Sequence, residues 1–228
     1  MKRSEINMII KSAEEFIGSF NFKLPPWTRW TPEDWKTKGH EYDEMRDNML
    51  GWDVTDYGQG KFDELGLILI TLRNGNQHIE KYNKPYAEKV FIMRQKQVSP
   101  MHFHWEKMED IINRGGGNLV VQLYNKTADD KLDEHSPVTV KVDGRAYQIP
   151  AGGKVILHPG ESASLEKLVF HEMTAEPGSG DVFVGEVSEC NDDNTDNFFL
   201  NPLGRFAEIE EDEPAYRLLC NEYPQALD

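Results

Sequence analysis

The stretch MHFHWEKMEDIINRGGG, residues 101–117, decides how the rest of the chain is read. His102 and His104 are two positions apart, so on a strand both imidazoles leave the same face. Glu109 follows after a segment long enough to turn and bring a carboxylate back to the same point. Two imidazoles and a carboxylate suit a borderline or hard divalent ion such as Mn, Fe, Co, Ni or Zn. A His-x-His pair alone is common by chance. The carboxylate and the glycine run Gly115 to Gly117 give it the character of a metal motif. His40, His78 and His135 sit in no comparable pattern.

On both sides of this segment the texture is short strands and turns. Upstream, Leu65 to Leu72 is β-rich and ends at Asn74-Gly75, which predicts a tight turn. Val90 and Ile92 mark a second strand. Downstream, Asn118 to Tyr124 is apolar, and Val138, Val140 and Val142 alternate with Thr139 and Lys141 into Asp143-Gly144. That pattern predicts a hairpin returning through Ala146 to Ile149. Further strands are expected at Lys154 to Leu157, Lys167 to Phe170 and Asp181 to Glu189. Many short strands punctuated by Gly, Pro and Asp indicate a sandwich or barrel.

The first twenty residues read differently. Ile6, Ile9, Ile10, Ala13, Phe16, Ile17 and Phe20 fall on one helical stripe, with Ser4 as N-cap. Such a helix is expected to pack on a barrel wall or on a partner subunit. Thr31-Pro32-Glu33-Asp34 signals a short second helix, with a cap, a proline at the first position and acids in the first turn. The expected fold is mainly β, a barrel of mostly antiparallel strands over residues of about 60 to 220. The whole chain, 1–228, then forms one domain: an N-terminal helical and loop extension (1–60), a core of about 85–190, and a C-terminal loop and strand (191–228).

Composition narrows the function. Forty acidic against 25 basic residues give a formal charge of −15. Such a surface repels phosphate backbones and anionic lipid, which argues against nucleic acid and membrane as partners. A neutral sugar or a cation fits the field better than a polyanion. Cys190 and Cys220 are too few and too isolated for a disulfide framework or a zinc ribbon. No apolar run reaches the length of a signal or membrane-spanning segment, so the cytoplasm is the expected location. The loop 191–197 lacks the glycine and terminal glutamate of an EF-hand. The acid cluster Glu208 to Glu213 reads as a solvated loop or edge strand.

His102-x-His104-x4-Glu109-x6-Gly116 resembles the first cupin motif. Gly153-x5-Pro159 resembles the start of the second, with His171 in the place of the last ligand; His158 is the other histidine near that string. Four longer strings, HFHWEKMEDIINRGGGNL, PGESASLEKLVFHEM, GEVSECNDDNTDNFF and IEEDEPAYRLLCNEY, resemble the cupin-type D-lyxose isomerases. The resemblance implies a jelly-roll β-barrel holding one ion through His102, His104, Glu109 and His171. It also implies a manganese-preferring aldose–ketose isomerase, with cobalt or zinc as alternatives, acting on D-lyxose and less well on D-mannose. Family members are typically homodimers.

Such an isomerase moves one proton between C2 and C1 and another between the adjacent oxygens, so it needs a Lewis acid and a positioned base. Lys107, between the ligands, is the first choice for an in-pocket cation or acid. If Arg205 to Glu210 is a strand, Phe206, Glu208 and Glu210 share a face, and Glu208 beside an apolar wall becomes the expected base. Lys89, Gln97, Asp193, Arg205 and Arg217 are candidates for binding sugar hydroxyls. The competing readings are an Fe(II)-dependent cupin dioxygenase, a phosphosugar isomerase and a non-catalytic sugar-binding cupin.

Overall fold

Continuous apolar runs in this chain become strands buried on both faces, as at 67–73 and 86–93, while alternating runs become strands buried on one face, as at 138–142. The computed structural model describes residues 1–192 and 195–227. It opens with helix α1 (Arg3–Ser19) and the short helices α2 (Pro32–Trp35) and α3 (Asp43–Asp47). Strands follow: β1 (Gly51–Thr55), β2 (Leu67–Arg73), β3 (Tyr86–Met93), β4 (Val98–His104), β5 (Glu109–Gly116), β6 (Leu119–Lys126) and β7 (Leu132–Asp133). The second half adds β8 (Val138–Val142), β9 (Arg145–Ile149), β10 (Lys154–Leu157), β11 (Ser162–Leu165), β12 (Val169–Ala175), β13 (Val182–Glu189) and β14 (Asn197–Phe199).

The strands pair antiparallel into two sheets. The larger runs β1-β2-β3-β13-β5-β11-β8-β9; the smaller runs β10-β6-β12-β4-β14, with β7 beside β6. Between them lies a core of Leu69, Phe91, Met93, Ile111, Leu119, Val121, Leu123, Val182 and Val184, among others. This is the mainly β, cupin-type barrel expected from the sequence. The outer face of the larger sheet is covered by α1. Ile6, Ile10, Ala13 and Ile17 pack on Ile68, Ile70, Val90, Ile92 and Phe183. Strand periodicity explains both layers: Ile68 and Ile70 face the helix while Leu69 faces the barrel interior. The helical stripe therefore meets the barrel wall.

The Asp143-Gly144 turn forms as expected. Val142 pairs with Arg145, and both turn residues have positive φ (47° and 80°), as a two-residue type I′ turn requires. Asn74-Gly75 does not form a tight hairpin, because residues 74–85 intervene between β2 and β3. The Asn74 amide is occupied instead: its Nδ2 donates to the Asn191 carbonyl (2.9 Å) and its Oδ1 accepts from the Asn191 N–H (2.9 Å). Gly75 is needed because the Lys84 carbonyl leaves no room for a Cβ.

Two expectations about the ends of the chain are corrected. Ser4 lies inside the first turn of α1 and is not its cap. Its N–H donates to Asp212 (2.9 Å) and its hydroxyl to the same carboxylate (2.6 Å), so the cap arrives from the other end of the sequence. The acid run that includes Asp212 is correspondingly more than a solvated loop. The Arg3 guanidinium, only 2 % exposed, is held by Glu211 and Glu222, and the Asn7 amide donates to Glu213 (2.6 Å).

These contacts have a pH signature. Arg3 holds Glu211, and Ser4 holds Asp212, below their ordinary carboxylate ranges. Carboxylates depressed by folding contribute stability that is complete above their unfolded pKa, at about pH 4, and is lost as pH falls through the lower folded values. Helix α1 should therefore loosen as pH drops below about 4. Amide hydrogen exchange over residues 3–19, corrected for the intrinsic rate, checks this. Protection that holds unchanged to pH 2.5 would contradict it.

Candidate active site

The sheet arrangement brings the motif residues together from opposite walls. His102 and His104 lie on β4 and His171 on β12, neighbouring strands of the smaller sheet with His171 paired to His102. Glu109 begins β5 of the larger sheet. One ring nitrogen from each histidine fits within 4.8 Å of the others, and all three side chains are buried among the described residues. Glu109 closes the group, with Oε1 3.1 Å from His171 Nε2 and Oε2 3.4 Å from His104 Nε2. His158, by contrast, is exposed and has its Nδ1 3.0 Å from Asn118 Oδ1.

Hydrogen bonding fixes which nitrogen faces the cluster. His102 Nδ1 lies 2.7 Å from the Pro100 carbonyl and His171 Nδ1 lies 3.0 Å from the Val169 carbonyl. A carbonyl only accepts, so both Nδ1 atoms carry a proton, and in the neutral, ligating form of each ring Nε2 presents a lone pair. His171 Nε2 is buried without a hydrogen-bond partner although a carboxylate oxygen stands beside it. A lone pair facing a carboxylate oxygen is repulsive unless a cation lies between them. Burial, then the neighbouring His171 and His104, push the His102 pKa well down, which keeps its imidazole in the neutral, ligating form. Three such nitrogens and one carboxylate oxygen fit a borderline divalent metal, and the three buried histidines can hold one.

Beside this cluster sits a second, purely ionic group. Lys107, in the turn between β4 and β5, is 2 % exposed. Its Nζ lies 2.8 Å from Glu109 Oε2 and 2.7 Å from Glu186 Oε1. Lys89, from β3, stands 3.2 Å from the same Glu186 oxygen and donates to Asn191 Oδ1. Burial raises the pKa of each carboxyl, but the lysines reverse this: Lys107 holds Glu109 well down, and Lys107 with Lys89 holds Glu186 down. Burial also disfavours the Lys107 cation, and the two carboxylates overcome it, so its pKa is raised. Lys107, Glu109 and Glu186 are therefore charged at neutral pH.

The cleft above them is lined by Tyr57, Asn191, Asn197, Phe199 and Arg205 as well as the ionic group. Among the expected hydroxyl binders, Lys89 and Arg205 therefore reach the cleft. Gln97 and Arg217 do not. The Gln97 amide donates to the Phe62 carbonyl (2.7 Å), and Arg217 lies against Glu14 of α1 (3.3 Å) and over the Tyr216 ring. Asp193 lies outside the described residues.

Glu208 is also elsewhere. Residues 205–209 form no strand; the segment meets the N-terminus, where the Met1 ammonium donates to the Glu208 carbonyl (2.7 Å). Its exposed side chain borders a separate cleft beside Met8, Ile9 and Phe62. Sequence reasoning missed Glu186, whose buried carboxylate lines the cleft. A signal for it exists, since Val182, Val184 and Glu186 share one face of β13 and the two valines are core.

Comparison with known proteins agrees with this geometry. The family model for D-lyxose isomerase matches residues 1–223. A D-lyxose/D-mannose isomerase of Serratia proteamaculans is 48 % identical over 224 residues, 98 % of each chain. One from Escherichia coli O157:H7 is 48 % identical over 226 residues, 99 % of each. Among solved structures, the L-ribose isomerase of Cellulomonas parahominis with L-psicose superposes with a TM-score of 0.59 at 16 % identity, covering 92 % of this chain and 98 % of that one. The L-ribose isomerase of Acinetobacter sp. DL28 with L-ribose gives 0.59 at 13 % identity, covering 91 % and 98 %. Those structures share the fold; the family assignment rests on the closer sequences. With near-full-length relatives at 48 % identity and this site between its sheets, the chain belongs to the D-lyxose isomerase family and is an aldose–ketose sugar isomerase.

Proposed function

We propose that this enzyme interconverts D-lyxose with D-xylulose and D-mannose with D-fructose by proton transfer through an enediol. The observation carrying this reading is the buried Glu186 carboxylate, held ionised by Lys107 and Lys89 beside the histidine cluster. Glu186 takes the C2 proton of the open-chain aldose and returns it to C1. Lys107 donates to Glu186 and Glu109 and keeps both charged in a dry site, where an uncompensated carboxylate would otherwise neutralise. Lys89, Arg205 and Asn197 at the cleft wall orient the sugar hydroxyls.

His102, His104, Glu109 and His171 would hold a divalent cation, which supplies Lewis-acid polarisation of the substrate oxygens. Manganese is our choice, because a carboxylate among imidazoles favours a harder ion and because the sequence resembles manganese-preferring isomerases; cobalt and zinc share the donor preference. The same resemblance supports a homodimer. A cytoplasmic location fits the two isolated cysteines, and no helix among the described residues is long and apolar enough to cross a membrane.

The test is to strip the protein with chelator, restore Mn, Co or Zn singly, and screen neutral aldoses for ketose. D-Lyxose should react fastest, with D-mannose second. No ketose from either sugar with any ion would refute the proposal, and faster turnover of L-ribose would move the substrate assignment.

A further inference from the structure

His102 and His171 turn Nδ1 to backbone carbonyls, but His104 has no such carbonyl. Its Nδ1 is buried without a hydrogen-bond partner and lies 3.5 Å from Asp196 Oδ2. That oxygen is likewise buried and unpartnered, on a side chain 6 % exposed. The other oxygen of Asp196 is committed, accepting the Glu106 N–H at 2.6 Å. The Asp196 carbonyl accepts the Trp105 N–H at 3.1 Å. One residue thus grips both positions between His104 and Lys107 and leaves its remaining oxygen 3.5 Å from His104 Nδ1.

We infer that Asp196 is the positioning residue for His104: its Oδ2 keeps the imidazole proton on Nδ1, so that Nε2 presents a lone pair beside those of His102 and His171. The inference rests on the metal reading above. A carboxylate behind a ligating histidine fixes its tautomer and ring orientation and raises its basicity. The backbone grip sets the turn that carries Lys107, so the same side chain couples the ligand cluster to the ionic group.

The chemistry makes Asp196→Asn a sharp probe. Asparagine has one accepting oxygen and one donating nitrogen. Its oxygen remains with the Glu106 N–H, because the opposite orientation sets two donors against each other. Its NH2 then faces His104 Nδ1, which must accept, and the ring proton moves to Nε2. In metal-free protein, 15N-detected imidazole spectra should show His104 protonated at Nδ1 in the wild type and at Nε2 in Asp196→Asn. Thermal midpoints should stay close, because the grip on Glu106 survives. Manganese titration of the same samples should show affinity reduced by about 10–100-fold. Asp196→Ala, which leaves Nδ1 unopposed, should give a mixed tautomer and a smaller loss of affinity.

An unchanged tautomer together with manganese affinity within about two-fold of wild type would overturn the inference, since a carboxylate that orients a ligating histidine should matter by at least about ten-fold. The tautomer measurement needs no metal. A clear switch in a protein whose wild type takes up no divalent ion would uphold the Asp196 contact and refute the metal reading instead.

Discussion

Replacing Glu186 by glutamine should lower aldose turnover by about 10²–10⁴-fold, the range expected for loss of a general base. Glutamine preserves shape and can still accept from Lys107, so the fold and bound metal should persist while basicity is gone. Turnover and metal content measured on the same preparation separate the two effects. Near-wild-type turnover would remove Glu186 from the mechanism. Glu208→Gln supplies the contrast, because that side chain is exposed at a different cleft and its loss should leave turnover within about two-fold, as surface substitutions usually do. If Glu208→Gln is the damaging change, the base must be sought there. Running the reaction in deuterated water adds an independent arm. Deuterium at C1 of the ketose would establish proton transfer through Glu186, whereas retention of the original hydrogen is expected both of a hydride shift and of a base as shielded from water as this one.

The second large effect concerns the ligands. His102→Ala, His104→Ala, Glu109→Ala and His171→Ala should each abolish measurable activity and sharply reduce bound manganese, because each opens the coordination sphere. His158→Ala, at an exposed side chain whose Nδ1 meets Asn118, should do neither. Since the three histidines sit on the smaller sheet and Glu109 on the larger, the ion would bridge the two walls. Wild-type protein should therefore gain about 2.7 kcal/mol of stability at manganese one hundred-fold above its Kd, by mass action. A thermal midpoint indifferent to manganese over that range would argue against a site built across the sheets.

The parts of the site legible in the sequence were those encoded by local spacing. His102 and His104 share a face because a strand repeats every two residues, and Glu109 returns because four residues suffice for the turn from β4 to β5. The α1 stripe and the Asp143-Gly144 hairpin were legible for the same reason: helix period and turn chemistry are local. Glu186 was missed because an acid in an alternating strand normally marks the solvent face. Here the alternation runs the other way, with Glu186 on the inner face beside Val184 and Val182. The case for Glu208 as base depended on residues 205–210 forming a strand, but the Arg205 carbonyl accepts from Thr55 and the backbone of Glu208 and Glu210 bonds to the N-terminus. Asn74-Gly75 failed likewise: its turn chemistry is real, but the asparagine is engaged by a residue 117 positions away. Partners that distant are set by topology and leave no mark in a short window.

The pairing of the first helix with the last acids has a consequence for how the protein is made. Arg3 leaves the ribosome long before its partner Glu222, which lies 219 positions later. Asp212, which caps the helix, comes 208 positions after Ser4. During synthesis α1 must therefore wait, with Ile6, Ile10 and Ile17 uncovered until the strands beneath it have assembled, and unlocked until residues 211–222 emerge. A helix of this length is marginal by itself in water, and exposed apolar stripes on unfinished chains invite aggregation. Nascent chains arrested before residue 211 should thus be the species that chaperones hold. Emergence of residues 211–222, rather than formation of the barrel, becomes the event that locks the helix.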